Sequence, residues 1–210
     1  PNICALAVPK VANPGHLCAI AEILSELEAE RGLEPGHTRL IAMIETADAY
    51  FQVRDIAAAN SRVVAMTLGQ EDFALSTGME PEPEALFQPC LQVVFAARAA
   101  GILPLGFVGS IAEYQDKGKF QKIARQARRI GFTGAFCIHP LQAQVLNEEF
   151  SPTADEVATA KSMISAYEDA LAQGRGSIEY QGKMLDEPIV ERARQILLHY
   201  QRIKNHSSRG

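Results

Sequence analysis

Much is missing from this sequence, and each absence narrows what the protein can be. No apolar run reaches the roughly 20 residues that a membrane-crossing helix needs, so no membrane partner is expected. No stretch reads as a secretory leader with a basic start, an apolar middle and a small-residue cleavage site. The four cysteines (Cys4, Cys18, Cys90 and Cys137) are scattered through apolar surroundings, and none forms a CxxC pair. That argues against zinc and redox motifs and for reduced core thiols in a cytoplasmic protein. The formal net charge is −5, with acidic and basic residues interspersed, so the concentrated basic face of a nucleic-acid binder is lacking. Neither GxGxxG nor GxxxxGK[ST] follows any strand-like segment, which removes the main support for a nucleotide-binding sheet. Internal repeats and low-complexity segments are also absent. No methionine opens the chain; Pro1 stands directly before the apolar run 3–11, which reads as a fragment or as a chain whose first part is absent.

What remains is ordinary globular composition. The 210 residues are 47% hydrophobic and 21% charged, enough for a sizeable domain with its own core. Short β-rich runs alternate with longer helical stretches. Strands are expected over 3–11, 40–45, 62–69, 102–108 (weakened by Pro104 and Gly106) and 134–138. Helices are expected over 16–31, with Leu17, Ile20, Ala21, Leu24 and Leu27 at helical spacing, and over 47–59, 84–100 and 119–130. Lys122, Arg125, Arg128 and Arg129 on the last of these read as a solvated face. The strand segments are near-continuously apolar, as in a parallel sheet covered on both faces by helices. Strict β-then-α alternation leads to an open doubly wound sheet or a closed barrel.

After Pro140 the pattern changes. Thr153 and Glu156 form a capping-box signature, followed by a stripe of Val157, Ala160, Ile164, Tyr167 and Leu171. Gly174, Gly176 and Gly182 bracket a short hairpin at 177–181, and a last helix starts near Glu187, with Ile189, Ala193, Ile196 and Tyr200 on one face. The polar tail from Asn205 is expected to fray.

Two carboxylates stand out by position. Glu45 closes the run Leu40-Ile41-Ala42-Met43-Ile44-Glu45, and Asp72 lies just past the next strand in Leu68-Gly69-Gln70-Glu71-Asp72-Phe73. In a parallel barrel all strands end on one face, where active sites sit, and neighbouring strands lie about 5 Å apart, so the two groups converge. Completed by waters and substrate oxygens, such a pair suits Mg²⁺. Glu71 competes with Asp72 for the second ligand position. Gly69 would let the backbone approach a ligand closely. The plainer alternative is that Glu45 caps the helix beginning near Ala47 and that Asp72 begins a turn. Lys10 ends a strand on the same face, where it meets a phosphate or carboxylate or pairs with Glu45.

The ordered set Ala7-Val8-Pro9-Lys10-Val11, Ile44-Glu45-Thr46, Leu68-Gly69-Gln70-Glu71-Asp72-Phe73, Cys137-Ile138-His139-Pro140 and Gly182-Lys183-Met184-Leu185-Asp186 resembles the HpcH/HpaI aldolase/citrate lyase family. Within it the chain looks most like the citrate lyase β-subunit branch, which also holds malyl-CoA and citramalyl-CoA lyases. The resemblance implies an α/β fold, a TIM (β/α)8 barrel. Residues 1–150 would carry strands corresponding to the fourth through eighth, and 151–210 a C-terminal helical extension with a short hairpin. It implies Mg²⁺ held by Glu45 and Asp72, with Glu45 also catalytic. Glu45, Gly69, Glu71 and Lys10 are the expected substrate-binding set, and Ile138, His139, Pro140 and Gln142 the expected contacts for a CoA thioester, although a histidine before proline at a strand end is commonly structural. Asp186 matches an aspartate that in the lyases reaches a neighbouring subunit's site as acid or base, and Asp186-Glu187-Pro188 is equally a good helix start.

The implied reaction is Mg²⁺-dependent carbon–carbon cleavage of a citryl-, malyl- or citramalyl-type 3-hydroxyacyl thioester to a 2-oxo acid and an acyl thioester. A malyl-CoA-type thioesterase, a 2-oxo acid aldolase on the same scaffold and a non-catalytic subunit are the alternatives. Family members point to a homo-oligomer, a trimer or hexamer with shared sites. The loop Gly109-Ser110-Ile111-Ala112-Glu113-Tyr114 departs from many relatives, which place acidic residues earlier, and this leaves the substrate and the acyl carrier open. The first three barrel strands, and the substrate-contacting arginine they carry in the family, have no counterpart here, so the chain alone is expected not to be a competent enzyme.

Overall fold

The computed structural model describes residues 3–109 and 116–207. The divergent loop positions 110–114 lie outside the described residues, as do the tail residues 208–210. The chain divides into two compact units, Pro1–Phe150 and Ser151–Gly210.

The first unit runs β1 (Ala5–Val8), α1 (Pro14–Glu30), β2 (Arg39–Ile44), α2 (Ala47–Phe51), α3 (Val53–Ala57), β3 (Val63–Leu68), α4 (Gln70–Thr77), α5 (Pro83–Ala99), β4 (Leu103–Leu105), α6 (Lys117–Ile130) and α7 (Pro140–Phe150). The strands form one sheet in the order β1-β2-β3-β4, parallel at every pairing. Between β2 and β3 the register shifts: Leu40 pairs with Val63 but Ile41 pairs with Ala65, and Ile44 ends opposite Leu68. β3 is buried along almost its whole length, as a central parallel strand must be. β1 is different. Ala5, Leu6 and Ala7 are not buried, because among the described residues only β2 pairs with it.

Local chemistry explains most boundaries. Asn13 caps α1 by accepting the His16 N–H, with Pro14 in the first turn, where the missing N–H costs nothing. Asp116 caps α6 in the same way, accepting from Lys119, and Gly131 in a left-handed conformation ends it. Arg125 does not simply face solvent. It grips Glu149 with two bonds of 3.0 and 2.8 Å, tying α6 to α7. The core packs Leu40, Ile44, Met66 and Leu68 of the sheet against Phe73, Leu86, Cys90 and Phe120 of the helices. Burial pushes the Cys90 thiol up to about 12, so it stays protonated and inert.

Several expected elements change. The fifth strand at 134–138 is reduced to one parallel bridge between Leu105 and Gly134. Two bonds make it, Thr133 N–H to the Pro104 carbonyl and Gly106 N–H to the Gly134 carbonyl. The pairing goes no further than Gly106, which takes φ 141. The first strand stops at Val8, because Lys10 takes a left-handed φ of 47. The helix expected over 47–59 breaks at Gln52 into α2 and α3. Helices α4 and α7 were not expected.

The second unit contains α8 (Ala154–Ala172), β5 (Ile178–Tyr180), β6 (Lys183–Leu185) and α9 (Glu187–Ser207). The capping box of Thr153 and Glu156 forms at the start of α8. The hairpin turns at Gln181 and Gly182, both left-handed. Gly182 therefore makes the turn instead of bracketing the strands, as a two-residue hairpin loop requires. Tyr167, Leu185 and Val190 form the small core. The tail stays helical to Ser207. Among the described residues no helix is long and apolar enough to cross a membrane.

Candidate metal and substrate site

The parallel register aims the C-terminal ends of β2 and β3 at one place. Glu45 follows β2 directly and is only 5% exposed. It does not cap α2; Thr46 does, accepting the Ala49 N–H. The Glu45 side chain is instead turned across to the end of β3. A Cβ on Gly69 would stand 2.5 Å from Glu45 Cγ and 2.8 Å from Oε1, so any other residue there would collide with the carboxylate. The backbone of Gly69 is ordinary, with φ −87 and ψ 93. The position needs glycine for space rather than for conformation, and the side chain that fills the space is that of Glu45.

Asp72 is not in a turn. It sits in the first turn of α4 with Glu71, where the positive end of the helix dipole favours negative charge. Glu45 and Asp72 line one cavity of about 180 Å³, with Met43, Gly69, Phe107 and Phe136 among its walls. Glu71 lines it too. Burial raises the Glu45 carboxyl above its ordinary value; the Lys10 N–H opposes this, and the Asp72 charge adds to it.

Lys10 reaches both carboxylates. Its backbone N–H donates to Glu45 Oε2 at 2.8 Å, and its ammonium lies 3.1 Å from Asp72 Oδ1. The expected ion pair with Glu45 is thus a backbone hydrogen bond, and the side-chain partner is Asp72.

Other residues that hold this site were not anticipated. Gln70 is buried and donates from Nε2 to the Phe107 carbonyl at 2.8 Å, locking the start of α4 to the chain after β4. Ser76 Oγ accepts the Ala47 N–H at 3.1 Å, joining α4 to α2. The available signal for Gln70 was a polar side chain directly after the strand-end glycine.

The segment 138–142 is organised as a helix start. His139 Nδ1 accepts the Leu141 N–H at 3.2 Å and its carbonyl accepts the Gln142 N–H at 3.0 Å, with Pro140 opening α7. Gln142 is 1% exposed, and its Oε1 accepts the Ile138 N–H at 2.9 Å. Its side chain is turned inward to hold the turn, whereas Ile138 is 61% exposed. Asp186 belongs to the second unit, where it caps α9: Oδ1 accepts the Ile189 N–H at 3.4 Å and its carbonyl accepts the Val190 N–H at 3.0 Å.

The donor set fits a hard divalent cation. Among the described residues no group of three or more histidine, cysteine or acidic side chains is assembled for a metal, so zinc-type coordination is not offered. Two carboxylates whose charges repel, Glu45 buried and Asp72 half exposed, match Mg²⁺, which keeps several waters and takes few protein ligands.

At the far end of the same strands lies a second charged cluster that is purely structural. Arg62, just before β3, grips Glu28 of α1 with bonds of 2.8 and 2.7 Å. Glu28 also accepts the N–H groups of Gly36 and Thr38, both at 2.8 Å. Arg62 holds the Glu28 carboxyl down at about 2. Every bond of this buried pair is made locally, which is the condition for tolerating it.

Comparison with known proteins agrees with this architecture. The HpcH/HpaI aldolase/citrate lyase family model matches residues 2–140. Citrate lyase subunit beta of Haemophilus influenzae is 35% identical over 193 residues, covering 90% of this chain and 65% of that protein. The L-malyl-CoA/beta-methylmalyl-CoA lyase of Rhodobacter capsulatus is 30% identical over 213 residues, covering 91% and 65%. This chain thus spans slightly under two thirds of the length of these relatives. The structure of Mycobacterium tuberculosis CitE in complex with magnesium, acetoacetate and coenzyme A superposes with a TM-score of 0.75 at 24% identity, over 94% of this chain and 68% of that one, a likeness of fold. The matched sequence, on a parallel α/β sheet, places the chain in the HpcH/HpaI aldolase/citrate lyase family.

Proposed function

We propose that the protein is a Mg²⁺-dependent carbon–carbon lyase acting on a 3-hydroxyacyl thioester of the citryl, malyl or citramalyl type. The observation that carries this reading is the convergence of Glu45 and Asp72 on one cavity, with Gly69 left bare to admit the Glu45 side chain. Names of relatives support the reaction class: those reported above are lyases.

Glu45 and Asp72 would hold the metal, and Glu45 would lie against the reacting oxygens as the catalytic carboxylate. Bound there, Mg²⁺ supplies Lewis acidity to the substrate oxygens as negative charge develops on them. Lys10, whose ammonium lies against Asp72, would bind a substrate carboxylate. Met43, Phe107 and Phe136 give the cavity an apolar wall against which the carbon skeleton of the substrate would lie. In the reaction the hydroxyl loses its proton and becomes the carbonyl of the 2-oxo acid. The electron pair of the broken carbon–carbon bond passes to the thioester fragment, whose α-carbon takes a proton. We assign that proton to Asp186 of a second copy in a trimer or hexamer. The exposed 138–140 turn is assigned to the CoA moiety. Of the four free thiols only Cys90 is buried, while Cys4 and Cys137 are exposed, so they are not all the core residues expected; unpaired thiols are in keeping with a cytoplasmic setting.

The test is product analysis on the full-length protein with Mg²⁺ and then with EDTA, using malyl-, citramalyl- and citryl-thioesters. Metal-dependent release of glyoxylate, pyruvate or oxaloacetate, lost in Glu45→Gln and Asp72→Asn, supports the lyase. Free hydroxy acid plus CoA would make the protein a thioesterase. No turnover with intact Mg²⁺ binding would make it a non-catalytic binder.

A further inference from the structure

Lys10 occupies an unusual position. It is a non-glycine residue in the left-handed region, with φ 47, a conformation that persists only where surrounding structure enforces it. Here the enforcement is visible. The twist directs the Lys10 N–H onto Glu45 Oε2 at 2.8 Å, while the side chain leaves the same Cα for Asp72 Oδ1 at 3.1 Å. One residue therefore touches both carboxylates, through two different groups. The two attachments differ in kind. The backbone bond is anchored to a buried carboxylate, whereas the ammonium is two-thirds exposed and its partner Asp72 about half exposed. The ammonium can swing out to water without disturbing packing, and the amide cannot.

We propose that Lys10 is the resident counter-ion of the two-carboxylate site: its ammonium holds Asp72 until a divalent cation displaces it, and is then free to bind an anionic group of the substrate. The inference rests on the metal reading of Glu45 and Asp72 given above. Two cations cannot share Asp72 at contact distance without strong repulsion. Metal entry therefore drives the ammonium off, while the Lys10 N–H keeps Glu45 in place. The displaced ammonium remains tethered beside the two carboxylates through the Lys10 N–H bond to Glu45, so metal loading prepares the anion site. Lys10 acts on the metal as a positioning residue.

The experiment is calorimetric titration of MgCl₂ into the full-length protein and into Lys10→Met, Lys10→Gly and Lys10→Arg, followed by titration of oxaloacetate into each Mg²⁺-loaded form. Lys10→Met and Lys10→Gly should bind Mg²⁺ about three- to tenfold tighter, because the competing charge is gone. The same variants should bind oxaloacetate about tenfold more weakly, because the anion partner is gone. Lys10→Arg should stay within about twofold of wild type on both counts. Opposite signs for metal and anion are a signature that local unfolding does not produce. Lys10→Gly keeps the N–H and relieves the left-handed strain, so it must share the phenotype. Wild-type Mg²⁺ binding with no gain, or a loss, in Lys10→Met and Lys10→Gly overturns the inference and leaves the metal site standing. Tighter Mg²⁺ binding with unchanged oxaloacetate affinity also overturns it. Absence of Mg²⁺ binding in all forms, wild type included, overturns the metal reading and this inference together.

Discussion

Gly69 and Glu45 fit together by the absence of a single carbon: the side-chain stem of Glu45 occupies the space in which a Cβ of residue 69 would stand, 2.5 Å from Cγ. Gly69→Ala must push Glu45 away from the cavity. The variant is expected to lose Mg²⁺ affinity by at least about tenfold and stability by about 1–3 kcal/mol, as overpacked sites do. Calorimetry and urea unfolding check the two effects separately.

Glu45→Gln should behave differently. The glutamine oxygen can still accept the Lys10 N–H, and a neutral group no longer has to be desolvated beside Asp72. In metal-free buffer the variant is expected to melt at a higher temperature than wild type while Mg²⁺ binding is lost. Asp72→Asn should also lose Mg²⁺, without the rise, since its carboxylate is half exposed and paired with Lys10. A Glu45→Gln variant that melts lower would show that the carboxylate is needed by the fold.

Acid should act on stability through Glu28. Its carboxyl is depressed from the ordinary 4.5 to about 2. Between those values the unfolded chain binds more protons than the folded one, so the contribution is full above about pH 4.5 and is lost as pH falls through about 2. In Arg62→Met the stability slope across that window should flatten, because the N–H groups of Thr38 and Gly36 alone then hold the carboxylate. Glu28→Leu combined with Arg62→Met should be less destabilised than Arg62→Met alone, since no buried charge is stranded. Urea midpoints from pH 2.5 to 7 measure both.

Asp186 carries two roles that one substitution separates. Asparagine caps a helix about as well as aspartate, so Asp186→Asn should keep α9 and the melting temperature. As the assigned proton donor, it should lower kcat by about two to four orders of magnitude. Unchanged turnover would leave Asp186 as a cap only.

The parts of this molecule that could be read from the sequence share a property: their signal is local. Glu45 at the end of an apolar run, the Thr153–Glu156 box and the first part of the stripe on α8 each need only a few neighbouring residues; at the stripe's end Ala170 is buried and Leu171 is exposed. α7 was hidden because Pro140 reads equally as a stop and as a first-turn residue; here it is the latter. α4 is short and lacks a clear apolar stripe. The 134–138 run is apolar enough for a strand, but strandedness depends on partners, and the pairing goes no further than Gly106 after one bridge. The Glu28–Arg62 pair joins residues 34 apart in sequence. One trace of it was present. Leu17, Ala21, Leu24 and Glu28 follow one helical spacing, so a charge lay on a buried stripe and required a buried partner. The pairing of Lys10 with Asp72 had no such trace, since it depends on a left-handed φ at a residue that rarely adopts one.

The register shift between β2 and β3 reaches further than its single extra residue. Continued without it, the pairing that begins with Leu40 and Val63 would bring Ile44 opposite Thr67 and Glu45 opposite Leu68. A leucine side chain would then fill the gap that Glu45 needs, and the inward and outward faces of β3 would exchange. The meeting of Glu45 with Gly69 is thus set by how many residues precede it as much as by which residues they are. Point substitutions around Val64 leave that count intact. Deleting one residue there would silence a site five positions away while every residue of the site stayed in the gene.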